Sequence, residues 1–265
     1  MLVAFLHTIR EAFQRRMTLV LLAVALMAAG YYVMLFRFET APDGQVLVQT
    51  AVGLITVQEF LNFNLPGQLN HIGTFWLLLG ALAAVPLLTS FHEKGWVELL
   101  VSKGVARWEL LLGRYAAAFL QFAATLLVVC GVPAVHVWMG TGVSTLPFVK
   151  GAALVLAGYG ATLGLATLLA VIQPKIGLVS VLVFAQVFLS PLLTDRKDHF
   201  KEMPALEGVA GFFHSLLPRN DELRRMAIDL YYNQPVDSWT PLWASLAVLA
   251  VTLAAACAIF QRKSL

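Results

Sequence analysis

Six stretches of this chain are apolar over bilayer length and free of Asp, Glu, Lys and Arg: residues 17–36, 71–90, 115–138, 151–172, 176–193 and 242–260. A helix needs roughly 20 apolar residues to cross a hydrocarbon core. The pattern therefore predicts an all-α polytopic membrane protein with six transmembrane helices. Arg15 and Arg16 ahead of the first stretch imitate a signal peptide. The apolar run continues through Tyr31–Phe36 without a small-residue cleavage site, so it is expected to remain as a span.

Shorter periodicities fill the gaps. In residues 1–16, Leu2, Phe5, Leu6, Ile9 and Phe13 recur at helical spacing, with Arg10, Arg15 and Arg16 off the stripe. This predicts an N-terminal interfacial helix. Between the first two spans, Pro42-Asp43-Gly44 marks a turn, and Leu47, Ala51, Leu54, Val57 and Leu61 then predict an interfacial or re-entrant helix over 46–63. The segment 194–241 between the last two spans is the largest polar region. Its apolar run Leu206–Leu217 ends at Pro218. Asn220 is then placed to cap a helix with Asp221 and Glu222 in its first turn and Leu223, Met226, Ala227 and Leu230 as its stripe. Either a solvated surface helix or a re-entrant lid fits. On the second reading Asn220, Asp221 and Arg224 are candidate outer-gate or partner-docking residues.

Composition agrees with the pattern. Of 265 residues, 59% are hydrophobic and 12% charged, against about 45–50% and 25% in soluble domains. Mean hydropathy is +0.78. A net charge of +3 gives no reason to expect nucleic acid. Its distribution orients the chain. The side holding the termini carries Arg10, Arg15, Arg16, Lys94, Lys103, Arg107, Arg114, Lys175, Arg262 and Lys263 against four acids; the other side has eight bases and eleven acids. The bias puts both termini in the cytoplasm. Trp76, Trp138, Trp239 and Trp243 fall at outer span ends, as amphipathic rings favour.

Several chemistries find no residues to carry them. The spans lack the acidic and basic groups of ion-coupled carriers, leaving only His71 and His136 near outer ends. Gln121 and Gln186 are suited to bonds between helices, and the small residues Gly160 and Gly164, and Ala250, Ala254 and Ala258, to close packing. His92-Glu93 opens a zinc-protease motif, but Trp96 stands where its second histidine belongs. Ser144 has no nearby base, and Cys130 and Cys257 have no metal or redox spacing. No GxxxxGK[ST] sequence occurs, so the chain is expected to be no enzyme, with no directly bound cofactor or metal.

The loop between the second and third spans, residues 91–114, is the informative segment. It is charged with both signs, its apolar residues are helically spaced, and it runs directly into a span. Its sequence Ser102-Lys-Gly-Val-Ala-Arg-Trp-Glu-Leu-Leu-Leu-Gly113-Arg114 resembles the S-K-P-V-S-R-W-E-I-L-L-G-K pattern entering the third span of permease subunits of type 2 ATP-binding-cassette (ABC) exporters. Glu93 and Gly95 stand where that family has an acidic residue and a glycine; Gly104 replaces its proline and Trp96 a threonine. Leu217-Pro-Arg-Asn-Asp-Glu-Leu-Arg224 resembles its L-N-P-x-D-x-x-R stretch, and the nearest subgroup includes the nitrous-oxide-reductase maturation permease.

The resemblance implies one permease domain over 1–265 in a prokaryotic inner membrane. It implies a cytoplasmic ABC ATPase dimer as partner, with ATP and Mg bound there, and a second permease copy or paralogue. It also implies force arriving on Glu93, Trp96, Glu98, Lys103, Arg107, Glu109 and Arg114, opening an outward path. The lipid bilayer and an outer-side protein complete the expected partners. A membrane scaffold anchoring an outer complex is the alternative.

Overall fold

The computed structural model describes residues 5, 6, 8–11, 16–42, 44–51, 53–90 and 104–262. Six helices in it are long and apolar enough to cross a membrane: α1 (Met17–Leu35), α2 (Val57–Thr89), α3 (Arg107–Thr141), α4 (Leu146–Ile172), α5 (Ile176–Thr194) and α8 (Thr240–Arg262). Two further helices, α6 (Pro204–Leu216) and α7 (Asn220–Tyr231), form a hairpin between α5 and α8. The fold is all-α and polytopic, the protein a multi-pass membrane protein. Leu127, Met27, Val251 and Leu19 are among many large apolar side chains left exposed, as lipid-facing positions require. Of the N-terminal segment, residues 5, 6 and 8–11 are described, and they are helical.

Of the helix expected over 46–63, the part from Val57 is helical, and a sheet replaces the rest. β1 (Arg37–Thr40), β2 (Val46–Thr50) and β3 (Gly53–Thr56) form an antiparallel meander in the order β1-β2-β3. Two features defeat the helical pattern. Val46, Val48 and Thr50 are β-branched and alternate, with Val48 fully buried against the bundle. Gly44 (φ +82°) and Gly53 (φ +134°) then supply backbone conformations that a continuous helix excludes. The helix begins only at Val57, where Thr56 and Glu59 form a reciprocal cap: Glu59 N donates to Thr56 Oγ1 at 3.2 Å and Thr56 N to Glu59 Oε2 at 2.9 Å.

α2 thus starts fourteen residues before the expected boundary at 71, and one π-helical turn, Ile72–Trp76, interrupts it. α3 likewise extends beyond 115–138 at both ends. For convenience, the face holding Ser90 and Arg107 is called the near face and the face holding the sheet the far face.

α4 is the hub, and its glycines explain why. A Cβ on Gly151 would stand 2.9 Å from the backbone oxygen of Ala227 in α7. One on Gly158 would meet Asn220 at 2.8 Å, and one on Gly164 Leu249 of α8 at 2.8 Å. Bare backbone at these positions lets α7 and α8 close onto α4. On another side, Tyr159 stacks on Phe122 of α3 with ring centroids 3.8 Å apart and donates to Gly80 O of α2 at 3.3 Å. Gly160 and Gly164 are therefore used within the chain. Ala250, Ala254 and Ala258 of α8 face outward instead.

Candidate functional site

Two polar constellations interrupt the apolar bundle. The first lies on the near face, where α3 begins. Ala106 is extended and α3 starts at Arg107, so Arg107 and Glu109 occupy its first turn and Arg114 lies two turns in. Arg114 is 2% exposed. Its Nη2 pairs with Glu11 Oε2 at 3.1 Å, and its Nη1 donates to Leu87 O at 2.8 Å and also to Ser90 Oγ. Ser90 Oγ stands 3.0 Å from Glu11 Oε1. One guanidinium thereby joins the N-terminal helix, the last turn of α2 and the start of α3. Beside it, Leu110 and Leu111 pack with Val171, Ala256 and Phe260, adding α4 and α8 to the same base. Glu93, Trp96, Glu98 and Lys103 lie outside the described residues.

The second constellation lies at the tip of the α6–α7 hairpin. The chain turns at Leu217–Arg219 inside the bundle: Gln186 Nε2, in α5, donates to Pro218 O at 3.3 Å. Gln186 is eight residues from the far end of α5, so the tip descends on the order of 12 Å along it at 1.5 Å per residue. This is a re-entrant hairpin. Its exposed backbone groups must find partners at that depth, and span hydroxyls provide them. Ser190 Oγ accepts from Asp221 N at 3.1 Å and Ser245 Oγ from Arg219 N at 3.1 Å. Asn220 was expected to cap α7. Instead it is the first helical residue, and its Nδ2 donates across to Thr162 Oγ1 of α4 at 2.8 Å. Burial decides this: at 5% exposure its amide answers to α4 rather than to its own backbone.

Asp221 is 2% exposed. Its Oδ1 accepts from Arg224 Nη2 at 2.5 Å. Its Oδ2 stands 2.8 Å from Arg225 Nε, off the hydrogen-bonding direction, so that contact is coulombic. Arg224 also donates to Asn70 Oδ1 of α2, and its side chain lies against Gly73 in the π-helical turn, where a Cβ would stand 2.9 Å away. Arg225 reaches Asp195 Oδ2 at 2.5 Å. That contact holds the Asp195 carboxyl below the usual carboxylate range and the guanidinium above its own. His214 of α6 pairs with Glu222 of α7 at 2.6 Å. Burial pushes the His214 imidazole below its ordinary value, with Arg196 and Arg219 adding to the shift and Glu222 opposing it. No cluster able to hold a metal ion occurs among the described residues.

The chain matches no protein-family model, and no curated protein is similar to it at a significant level.

Of the residues expected to dock a partner on the far side, Asn220 and Asp221 are buried and turned into the protein, and Arg224 is spent on Asp221 and Asn70. They lock the hairpin tip in place. Glu11, Ser90, Thr162, Ser190 and Ser245 complete the two constellations and were not singled out from sequence. For the last three the signal was there: hydroxyls inside apolar spans, where an unbonded one costs free energy. For Glu11, an acid beside an apolar stripe carries no such mark.

Proposed function

We propose that this chain is the membrane-spanning permease subunit of an ATP-driven exporter of the ABC type, with ATP hydrolysis in a separate cytoplasmic ATPase. On this reading the near face is cytoplasmic, the membrane is a prokaryotic inner membrane, and a second permease copy or paralogue completes the unit. One observation carries the reading. The Ser102–Arg114 segment resembles the force-receiving entry to the third span of such permeases; its part from Arg107 forms the first two turns of α3 and ends on the buried Arg114. Force applied to 93–109 would reach α3 at that first turn. Through Arg114 it would reach α2 and the N-terminal helix at the same point. The re-entrant hairpin supports the same reading, since its buried tip is held by polar contacts that a tilt of α4 or α5 would loosen. The outward step would then be release of the hairpin by span movement.

The test is co-purification of the cognate ATPase with variants of this chain, normalised to membrane abundance. A charge left unpaired at an interface costs about 2–5 kcal/mol, and aromatic anchors often dominate such contacts. Glu93→Lys, Arg107→Glu and Trp96→Ala are each expected to lose the ATPase. Asp198→Lys, on the exposed far side, should keep it. Wild-type association and transport in all three would remove the coupling role of this segment.

A further inference from the structure

Tyr159 of α4 is wedged between α2 and α3 and bonds to both. It is fully buried. Its hydroxyl stands 3.3 Å from Gly80 O of α2 and 3.4 Å from Ala118 O of α3. A phenol has one proton to donate, and good O–H···O bonds cluster near about 2.7–2.8 Å. The proton is therefore shared between two helices and closes on neither. A slide of about 0.6 Å between α2 and α3 would complete one bond at the expense of the other. The ring itself belongs to α3: Phe122 stacks on it with centroids 3.8 Å apart. Phe122 reaches that position because Gly80 has no side chain to obstruct its ring.

The place of this residue joins the two polar constellations. Arg114, Ala118 and Phe122 follow at intervals of four along α3 and so share a stripe. Leu87 and Gly80, two turns apart, share a stripe of α2. Arg114 fastens the near ends of the two stripes through Leu87 O, and Tyr159 bridges them further in. On α4, Tyr159 stands between Gly158 and Thr162, the two residues on which the hairpin tip rests. A Cβ on Gly158 would meet Asn220 at 2.8 Å, and Asn220 Nδ2 donates to Thr162 Oγ1 at 2.8 Å. Tyr115 Oη, by contrast, joins α3 to α4 without α2, through Gly160 O at 3.1 Å. A side chain that reads the offset between α2 and α3 is thus built into the seat of the hairpin.

We propose that Tyr159 is the positioning residue that passes movement of α3 against α2 to the hairpin tip. When α3 shifts at its near end, it carries the stacked ring with it. The proton leaves Gly80 O and closes on Ala118 O. α4 follows, and Gly158 and Thr162 move under Asn220. The proposal rests on the exporter reading for the source of the movement, and on the geometry above for its relay.

The test follows amide exchange in nanodiscs, on the chain bound to its cognate ATPase, without nucleotide and after trapping with ATP and vanadate. Two windows are read: 107–112 at the start of α3, and 204–231 in the hairpin. In wild type both should respond to trapping, the hairpin by about tenfold, within the ordinary range of coupling between sites. Tyr159→Phe keeps the ring and its stack and loses only the hydroxyl. It should retain the response at 107–112 and the nucleotide-free exchange of the hairpin, while the hairpin's response to trapping falls below about threefold. Phe122→Leu, which keeps the hydroxyl and loses the stack, should weaken the hairpin's response as well. Thr125→Val removes another buried hydroxyl, one that bonds within α3 to Gln121 O at 3.0 Å, and should leave both responses intact. Co-elution with the ATPase confirms that each variant folds. A full hairpin response in Tyr159→Phe, a hairpin already loosened there without nucleotide, the same loss in Thr125→Val, or a wild type that responds at 107–112 alone would each overturn the proposal. A wild type silent in both windows would instead overturn the exporter reading.

Discussion

Arg114→Met tests the near-face junction most directly. Methionine keeps the packing of the aliphatic stem and removes the charge and every donor. Three contacts disappear: the 3.1 Å pair with Glu11, the 2.8 Å bond to Leu87 O and the bond to Ser90. Removing one partner of a buried pair costs about 3–5 kcal/mol. The lower end applies, because the Glu11 side chain keeps 13% exposure and the N-terminal segment can swing to water. About 3 kcal/mol corresponds to roughly a 150-fold rise in opening. Opening is read as amide exchange of residues 8–11 in nanodiscs. Glu11→Gln keeps a side chain able to meet Ser90 and loses only the charge, so it should cost less. In the double variant the two effects should overlap by at least about 1 kcal/mol. Exchange within threefold of wild type in Arg114→Met, or additive effects in the double variant, would refute the role of Arg114 in this junction.

Four other outcomes follow from the hub, α1 and the far side. Gly151→Ala should destabilise by about 1–3 kcal/mol in detergent unfolding, because its Cβ meets a backbone oxygen that cannot turn away. Gly30→Ala, with open space around it, should be neutral or stabilise by about 0.5–1 kcal/mol. Asn220→Leu should raise protease sensitivity within 195–239, since it removes the bond to α4 and leaves the buried Thr162 hydroxyl only its 3.4 Å bond to Gln186 Oε1; unchanged cleavage would mean the tip is held elsewhere. His214 is held below its ordinary value, so the unfolded hairpin binds the proton first as pH falls through about 6.5. Stability of α6 on α7 is thus full at neutral pH and declines on acidification. Amide exchange in 204–231 should quicken between pH 7.5 and 5.5, and His214→Gln should flatten that dependence.

The spans were legible because the sequence signal for them is one-dimensional: about twenty residues without a charge. Where a helix continues beyond the bilayer, the signal fades. Gln58, Glu59, Asn62, Asn64, Gln68 and Asn70 dilute the start of α2, although its cap at Thr56 and Glu59 is written in the sequence. The sheet was hidden because Leu47, Leu54 and Leu61 satisfy a helical period while Val46, Val48 and Thr50 satisfy an alternating one. Gly44 and Gly53 arbitrate, but only once their backbone angles are known. α7 was placed correctly with its apolar stripe, yet Asn220 was misassigned. Its partner Thr162 lies 58 residues away, and the depth at which the two meet is a property of the hairpin, not of either local sequence. Arg114 was picked out by resemblance, whereas Glu11, which fixes it, is visible only in three dimensions.

The length of α3 has a mechanical consequence. Its 35 residues make a rod of about 52 Å, some 20 Å longer than the hydrocarbon it crosses. One end is seated on Arg114 and Leu110; at the other, Phe38 of β1 lies against Gly140 and His136 bonds Phe36 O at 2.7 Å. A beam pivoting within the bilayer exchanges small rotations for large displacements at its tips. A 5° tilt about its middle would carry each end roughly 2 Å, in opposite directions. The sheet would then register movement at residue 107 without any bond between the two being remade. Pro133, which withdraws one backbone bond two turns from the far tip, sets the place where such a beam would flex first.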